Sequence, residues 1–587
     1  MKIKNIRFEK EKWQWLAATL IATLLFGLTY LTGTIRFSTN DDIRIMYALA
    51  GYNTGTTYPY QPFINYFLGQ VISWQYEFFP QIPWYALFHI FCLYFGTVVI
   101  GKCCIKITAK RNIHIGVAVF AIISLYYTVL IFPVMSMQFS TTPAVIGIAA
   151  VSLVYTLDAE KDSRHSIYFE LGLSVVMLLL CYMTRSFTWY CVMCFYALAV
   201  FYQIITTLSK KSINLKKYIC ILCGCTLFTI ILVISFRTLS LEIKDSVEVN
   251  NEFEEYNQYR AQVQDYGKRL DYYENSEFYN SLGWTENTYR ALLSLLFFDE
   301  NMNAENLKSI YDAYELNSTN RNMRDIYVTA SSIFDEYRVA KTGIAFIAVV
   351  FLLCLFLGIG EKNKWQEKLC AVFTILGYLI MFLFLSYQGR LPIRTFMVIT
   401  ICAAVYLVIS LLNIAHKRPR FIVRIGRNIA ACLIVFLMLY NIRAVYFMDD
   451  CTKTQTDTTA TEQEVKEFEQ YAIAHHENLY VYDFTVATLQ RDPFVTFPDI
   501  KPTNCIISGG SYTFSTIYYQ QLEQNGMSSL YWEDLLKDNV YYVSANWSFV
   551  ELVMNSISEK VEKQVLCEEI YAFGPEGAKV YKLSVAD

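Results

Sequence analysis

Charge is what this sequence has least of. Asp, Glu, Lys and Arg supply 17% of its 587 residues against 55% hydrophobic ones, and mean hydropathy is +0.30. That balance lies outside the range of ordinary soluble domains. Neither sign is in excess, with 49 basic and 52 acidic residues, which argues against a nucleic-acid-binding chain. Zinc-ligand spacing, a serine-hydrolase elbow and a phosphate loop are all missing. Ser508-Gly509-Gly510-Ser511 comes nearest to the last, follows an expected strand, and reads as a turn. There is no internal repeat, low-complexity tract or long flexible linker. The 16 cysteines form no disulfide framework, because most sit in apolar runs or at their ends, where thiols act as small apolar groups. Cys220, Cys223 and Cys225 have no histidine near them and read as part of a span, not a metal site. Cys451, Cys505 and Cys567 in the C-terminal region are odd in number and widely spaced.

What is present is a series of apolar runs, each long enough to cross a hydrocarbon core about 30 Å thick. The first covers about 13–33 behind a basic flank of Lys2, Lys4, Arg7, Lys10 and Lys12. It is longer than a signal-peptide core and is read as a retained span. Others follow near 84–101, 113–132, 142–157, 166–183, 187–207 and 218–237. After a polar insertion they resume near 340–360, 369–386, 394–412 and 428–447, about eleven in all. The basic residues fall in alternate loops. One holds Lys102, Lys106, Lys110 and Arg111, the next Lys161 and Arg164, and the third Lys210, Lys211, Lys216 and Lys217. The last two hold Lys362, Lys364 and Lys368, then Lys417, Arg418, Arg420, Arg424 and Arg427. With eleven spans all these loops share the side of the N-terminus, so the positive-inside rule puts that terminus in the cytoplasm and the C-terminus outside.

The expected fold is therefore an α-helical polytopic membrane protein of a cell membrane, with its large soluble pieces outside. A membrane module at 1–237 carries a first outer loop at 34–84. A helical insertion occupies 238–339, further spans 340–447, and a small α/β domain 448–587. In the insertion, helical patterns run over 251–273 and 285–298, with breaks at Gly283 and at Asp299-Glu300-Asn301. In the C-terminal domain strands are expected at 479–482, 505–508, 540–543 and 579–583, and helices at 462–475, 516–526 and 549–563.

The first outer loop organises the rest. It presents Thr39-Asn40-Asp41-Asp42, then two amphipathic pieces at 43–51 and 61–79, the second rich in aromatics, which suit the headgroup layer. Asp41 and Asp42 fit the first turn of a helix capped by Ser38, Thr39 or Asn40. They equally fit a general base held outside a membrane span. Arg185, Arg390 and Arg394 lie at outer turns, where the positive-inside bias disfavours arginine. Snorkelling to headgroups explains each one singly; as a group they suit a lipid phosphate or pyrophosphate, which guanidinium forks grip at two points. His89 reads as a helix-to-helix hydrogen bond, and Gln138, Ser140, Thr141 and Thr142 as an outer polar turn that caps a helix. Tyr256, Tyr259, Tyr266, Tyr272 and Tyr273 read as packing residues able to stack on sugars.

An acidic pair just after the first span, two juxtamembrane helices before the second, and outer-edge arginines together resemble the GT-C superfamily of membrane glycosyltransferases. It includes protein O-mannosyltransferases, aminoarabinose transferases and oligosaccharyltransferases. The likeness is good over roughly the first 100 residues and elsewhere lies in layout alone. It implies a polyprenyl-phosphate sugar donor, a catalytic acid at Asp41 or Asp42, and lipid-phosphate ligands at Arg185, Arg390 and Arg394 as positional analogues. The Trp-Trp-Asp-Tyr-Gly motif of oligosaccharyltransferases is missing. The second outer turn, 132–142, holds no acid, so the resemblance implies a site that requires no metal or other cofactor. The expected activity is sugar transfer to an envelope glycan, lipid or protein. A transporter or flippase of lipid-linked saccharide would want charged or broken helices near midplane. A non-catalytic membrane scaffold would use Asp41 and Asp42 only as caps.

Overall fold

A computed structural model describes residues 11–209, 215–246, 248–317, 322–357, 365–415, 421–447, 461–487, 492–494, 497, 500–574 and 577–586. Among these, ten helices are long and apolar enough to cross a membrane. In chain order the apolar helices are α1 (Glu11–Thr32), α4 (Trp84–Lys110), α5 (Ile115–Met135), α6 (Thr141–Thr156), α7 (Arg164–Thr184), α8 (Ser186–Ser209) and α9 (Leu215–Asp245). After the insertion come α15 (Arg338–Leu357), α16 (Trp365–Tyr387), α17 (Ile393–Ile414) and α18 (Phe421–Phe447). The eleventh expected span is α6. Its 16 residues rise only about 24 Å, and every one of them is buried, so it is a central pillar enclosed by its neighbours. The protein is a multi-pass membrane protein.

The loop ends divide into two sets. At one end Lys110 meets Asp162 at 3.1 Å, and Arg111 donates to Asn413 Oδ1 at 3.0 Å. At the other, the strands β1 (Arg36–Phe37) and β2 (Ser136–Met137) pair in parallel, and Asn65 N–H donates to Met183 O at 2.8 Å. The basic loops thus sit opposite the loop that holds Asp41. Lys210, Lys211, Lys362, Lys364, Lys417, Arg418 and Arg420 lie outside the described residues, as do Lys2, Lys4, Arg7, Lys10 and Cys451.

Lys102 and Lys106 correct the expected loop at 102–111. The helix α4 continues through them to Lys110, and both are buried within the bundle. Lys102 pairs with the fully buried Glu170 of α7, and Lys106 bonds both Glu170 oxygens, at 2.8 and 2.9 Å, and Asp162 at 2.7 Å. A lysine reads as loop when its partner lies more than sixty positions away; here the partner makes helix affordable inside the bundle.

Between α1 and α4 the chain forms α2 (Asn40–Ala50) and α3 (Tyr66–Phe78). Expected to lie flat in the headgroup layer, α2 is instead embedded: Ile43, Ile45, Met46, Ala48, Leu49 and Ala50 are all buried. It ends at Gly51, whose φ of +61° only glycine adopts freely; a Cβ there would also lie 2.4 Å from the Thr56 carbonyl carbon. On α3, by contrast, Val71, Trp74 and Phe78 stay exposed.

The insertion contains α10 (Glu248–Arg260), α11 (Ser276–Ser281), α12 (Glu286–Leu293), α13 (Ala304–Asn317) and α14 (Met323–Glu336). The first expected helix was too long: it passes through a π-turn at Ala261–Asp265 and stops before Gly267, whose φ is +66°. The second stops at Leu293, because Leu295 turns left-handed and Phe297 N–H leaves to bond Ser508 O at 2.9 Å.

The C-terminal domain has α19 (Glu462–Ala474), β3 (Leu479–Tyr482), β4 (Cys505–Ile507), α20 (Thr516–Gln524), β5 (Val540–Ser544), α21 (Trp547–Val561), β6 (Val565–Ala572) and β7 (Lys579–Val585). The sheet order is β4-β3-β5-β7-β6, with β3 parallel to β4 and β5, and β7 antiparallel to β5 and β6. The edge strand β6 went unseen in the sequence. This domain and the insertion share one core, in which Trp284, Phe297 and Phe298 pack with Val481, Trp532 and Val553.

Candidate functional site

The site forms where α2 begins. Thr39 occupies the N-cap in extended backbone but makes no side-chain cap, so the two acids that follow are not held by ordinary capping. They diverge at once, since adjacent helical residues point about 100° apart. Asp42 turns inward and is fully buried. The Tyr85 hydroxyl of α4 lies 3.0 Å from its Oδ1, Phe139 N–H donates to the same oxygen at 2.9 Å, and the Thr39 hydroxyl is 3.4 Å from Oδ2. Burial pushes its carboxyl up to about 8, against the pull of the Phe139 N–H and the Tyr85 hydroxyl. At neutral pH Asp42 is therefore mainly a neutral carboxylic acid, a pin between α2, α4 and the turn between α5 and α6.

Asp41 turns to the open side. Its Oδ2 accepts from Arg394 Nη1 at 3.1 Å, and both side chains keep about a quarter of their surface accessible, 22% and 24%. Arg394 sits on the first turn of α17, two residues after Pro392, the N-cap of that helix.

Arg185 joins them from the one-residue turn between α7 and α8. Its guanidinium carbon lies 5.3 Å from the centre of the Phe63 ring and 5.0 Å from that of Phe139, which stack on each other at 5.0 Å. Among the described residues no acceptor bonds this guanidinium. Burial and the neighbouring Arg394 depress it to about 10, with Asp41 acting the other way, so it stays charged at neutral pH. Asp41, Arg394 and Arg185 thus converge. Arg390 faces a different partner, Asp265 of the π-turn, at 3.7 Å, and lies over the Tyr266 ring at 5.4 Å.

Two arginines of this region escaped the sequence reading. Arg44, one turn after Asp41 on α2, is depressed by burial while Tyr482 and Asp41 favour its charge, and its Nη1 reaches Gly509 O at 3.4 Å. Arg260 is 5% exposed and grips Asp265 through two nitrogens, at 3.2 and 3.3 Å. Neither was singled out: Arg44 lies within the amphipathic piece at 43–51 and Arg260 within the helical pattern at 251–273. The one available signal was that Arg44 stands three positions from Asp41 on a helix, a spacing that puts them on one face.

The loop 508–515 closes this side. Gly510 adopts φ +112°, and a Cβ there would lie 2.2 Å from Arg44 Nη1. Tyr512 OH donates to Gln61 Oε1 at 2.5 Å. The weaker candidates resolve simply. His89 Nδ1 is 2.8 Å from the Thr142 hydroxyl, Gln138 Nε2 is 3.4 Å from the Thr39 hydroxyl, and Tyr256 is packed in a core. No group of three or more His, Cys, Asp or Glu side chains among the described residues is placed to hold a metal ion.

No family model matches the sequence, and no curated protein does. Solved structures do. ArnT from Cupriavidus metallidurans bound to undecaprenyl phosphate is similar with a TM-score of 0.46 at 10% identity, covering 97% of this chain and 98% of that one. The Archaeoglobus fulgidus oligosaccharyltransferase in its apo form gives 0.43 at 11% identity, covering 98% and 75%. Likeness this distant leaves the chemistry to be read from the residues themselves.

Proposed function

We propose that the chain is a GT-C-like glycosyltransferase that moves a sugar from a polyprenyl-phosphate donor to an envelope glycan, lipid or protein at the outer face of the membrane. The observation that carries this reading is an accessible carboxylate, Asp41, ion-paired with Arg394, in the same region as a charged guanidinium, Arg185, that no acceptor bonds among the described residues. A carboxylate near guanidinium groups able to take a phosphate is what displacement at a sugar–phosphate bond requires. The acceptor hydroxyl attacks the anomeric carbon and gives its proton to Asp41. The bond from that carbon to the phosphate oxygen breaks, and the lipid phosphate leaves with the electron pair. Arg185 and Arg394 stabilise the charge that grows on it. Arg390 takes the outer phosphate oxygens once released from Asp265. Asp42, neutral and buried, positions Asp41 and touches no substrate. The site needs no metal in this reading, because the cations are arginines.

The test is transfer of a labelled sugar from a polyprenyl-phosphate donor in reconstituted membranes. Loss of transfer in Asp41→Asn with donor binding intact supports the reading. Transfer undiminished in that variant overturns it.

The buried Lys102, Lys106 and Glu170 favour a second reading, a flippase, since such a protein wants charge inside the bundle. They are, however, bonded to each other. From His89 to Lys102 the helix α4 runs about 20 Å through a stretch with no charged residue. The two polar regions are thus separate, which supports chemistry at one end over passage between them.

A further inference from the structure

Directly after its π-turn, the insertion brings Tyr266 to the arginines of the candidate site. We propose that Tyr266 binds the donor sugar, its ring stacking on the sugar ring joined to the lipid phosphate. The proposal rests on the glycosyltransferase reading and adds a substrate-binding residue to that same site.

Position argues for it first. The Arg390 guanidinium carbon lies 5.4 Å from the centre of the Tyr266 ring. On the Arg185 guanidinium burial is the main influence, and Arg394, Asp41, Tyr266 and Asp42 follow in that order, so the tyrosine stands near Arg185 as well. In a polyprenyl-phosphate donor a single oxygen joins the sugar to the phosphate. A side chain beside phosphate-binding guanidiniums is therefore beside the sugar or beside the first units of the lipid. The lipid stays with the spans, whereas Tyr266 belongs to the insertion, beyond their ends, which is the sugar's side.

Availability argues second. Arg390 covers part of the ring, yet 41% of the residue's surface stays accessible, and among the described residues nothing bonds its hydroxyl. Other tyrosines of the insertion are spent on packing: Tyr256 and Tyr279 are buried, and Tyr272 lies against Tyr279 and Tyr289. A tyrosine offers a flat apolar face to the C–H side of a sugar and a polar tip to its hydroxyls.

Rigidity argues third. Tyr266 N–H donates to Ala261 O at 3.0 Å, closing the π-turn, and Lys268 N–H donates to Gln262 O at 3.0 Å. Arg269 Nη1 ties the turn from outside through Val263 O at 2.8 Å, and the Val263 side chain is fully buried. The neighbouring Asp265 is gripped by Arg260, which also bonds Asn257 Oδ1 at 2.9 Å. Single π-turns recur at functional sites. An aromatic ring carried on so fixed a backbone binds at little cost in lost freedom.

The experiment uses the full chain in lipid nanodiscs and measures binding of undecaprenyl phosphate and of a panel of undecaprenyl-phosphate-linked monosaccharides. Tyr266→Ala should weaken the best-binding sugar-bearing lipid about fivefold or more and leave undecaprenyl phosphate unchanged, while Tyr266→Phe, which keeps the ring, should hold both within about twofold. Equal weakening of both lipids in Tyr266→Ala would make Tyr266 a prop for Arg390 and overturn the proposal. Unchanged binding of the sugar-bearing lipid in that variant, or its loss in Tyr266→Phe, would overturn it too. Native protein that binds neither lipid would instead sink the donor reading, so the two failures are told apart.

Discussion

Arg394 Nη1 lies 3.1 Å from Asp41 Oδ2, although 353 residues separate them in the chain. Asp42, the very next residue, meets neither that arginine nor solvent. Neighbours in sequence, the two acids belong to different environments, and they separate in experiment. Asp41→Asn is expected to lower transfer by about 10²–10⁴-fold, the range of general base catalysis. Asp42→Asn, which keeps a neutral polar group of the same shape, should stay within about tenfold, the worth of one altered hydrogen bond. Rates at matched folded yield check both.

Asp42 also predicts a pH effect on stability. Burial raises its folded carboxyl to about 8, above the ordinary carboxylate value of about 3.9 that holds in the unfolded chain. Between those values the unfolded state has released a proton that the folded state still holds. The contribution of this group to stability therefore falls as pH rises from about 4 to about 8, with a slope of at most about 1.4 kcal/mol per pH unit. Asp42→Asn removes the dependence. Thermal unfolding at pH 5 and pH 8 should show the variant gaining on the native protein as pH rises; equal shifts at both would refute the assignment.

Arg185 predicts donor affinity. A charged hydrogen bond contributes about 1.5–3 kcal/mol, so Arg185→Gln should weaken undecaprenyl phosphate binding roughly 10- to 150-fold. Arg185→Lys should restore only part of it, because an ammonium cannot make the two-point contact. Direct binding in detergent reads both changes, and full rescue by lysine would speak against a fork.

Not all of this was legible beforehand. Hydropathy marks a span by itself, so helices such as Ile393–Ile414 fell within a few residues of expectation. The buried lysines failed because their partner, Glu170, is itself a charge in an apolar run, and nothing local links the three. In β6, Glu568 and Glu569 break the apolar pattern; the strand survives there because it is an edge and faces water. Asp41, Asp42, Arg185, Arg390 and Arg394 were singled out by their place relative to spans. Arg44 and Arg260 needed the C-terminal domain and the insertion folded against them, contacts that no local pattern carries.

The Lys102–Glu170–Lys106 cluster gives a stability prediction. Glu170→Gln leaves two buried lysines short of charge and should cost about 3–5 kcal/mol. Replacing the cluster together, with Lys102→Met, Lys106→Met and Glu170→Leu, should recover most of that loss. Unfolding in detergent measures it; a harmless Glu170→Gln would show that water reaches the site.

The contacts between α2 and the chain's far end set an order of construction. Lys501 Nζ donates to Ala50 O at 2.7 Å, Gln524 Nε2 to Thr54 O at 2.7 Å, and Tyr512 to Gln61. During synthesis Asp41 emerges early, while the loop that walls its helix follows some 470 residues later, roughly half a minute to a minute and a half at ribosomal speed. Through that interval the carboxylate has its membrane floor but no wall beside Arg44. A chain released or cleaved before the sheet forms would carry the acid without that wall. The wall of the site thus depends on residues 501–524 packing against α2 and the loop that follows it.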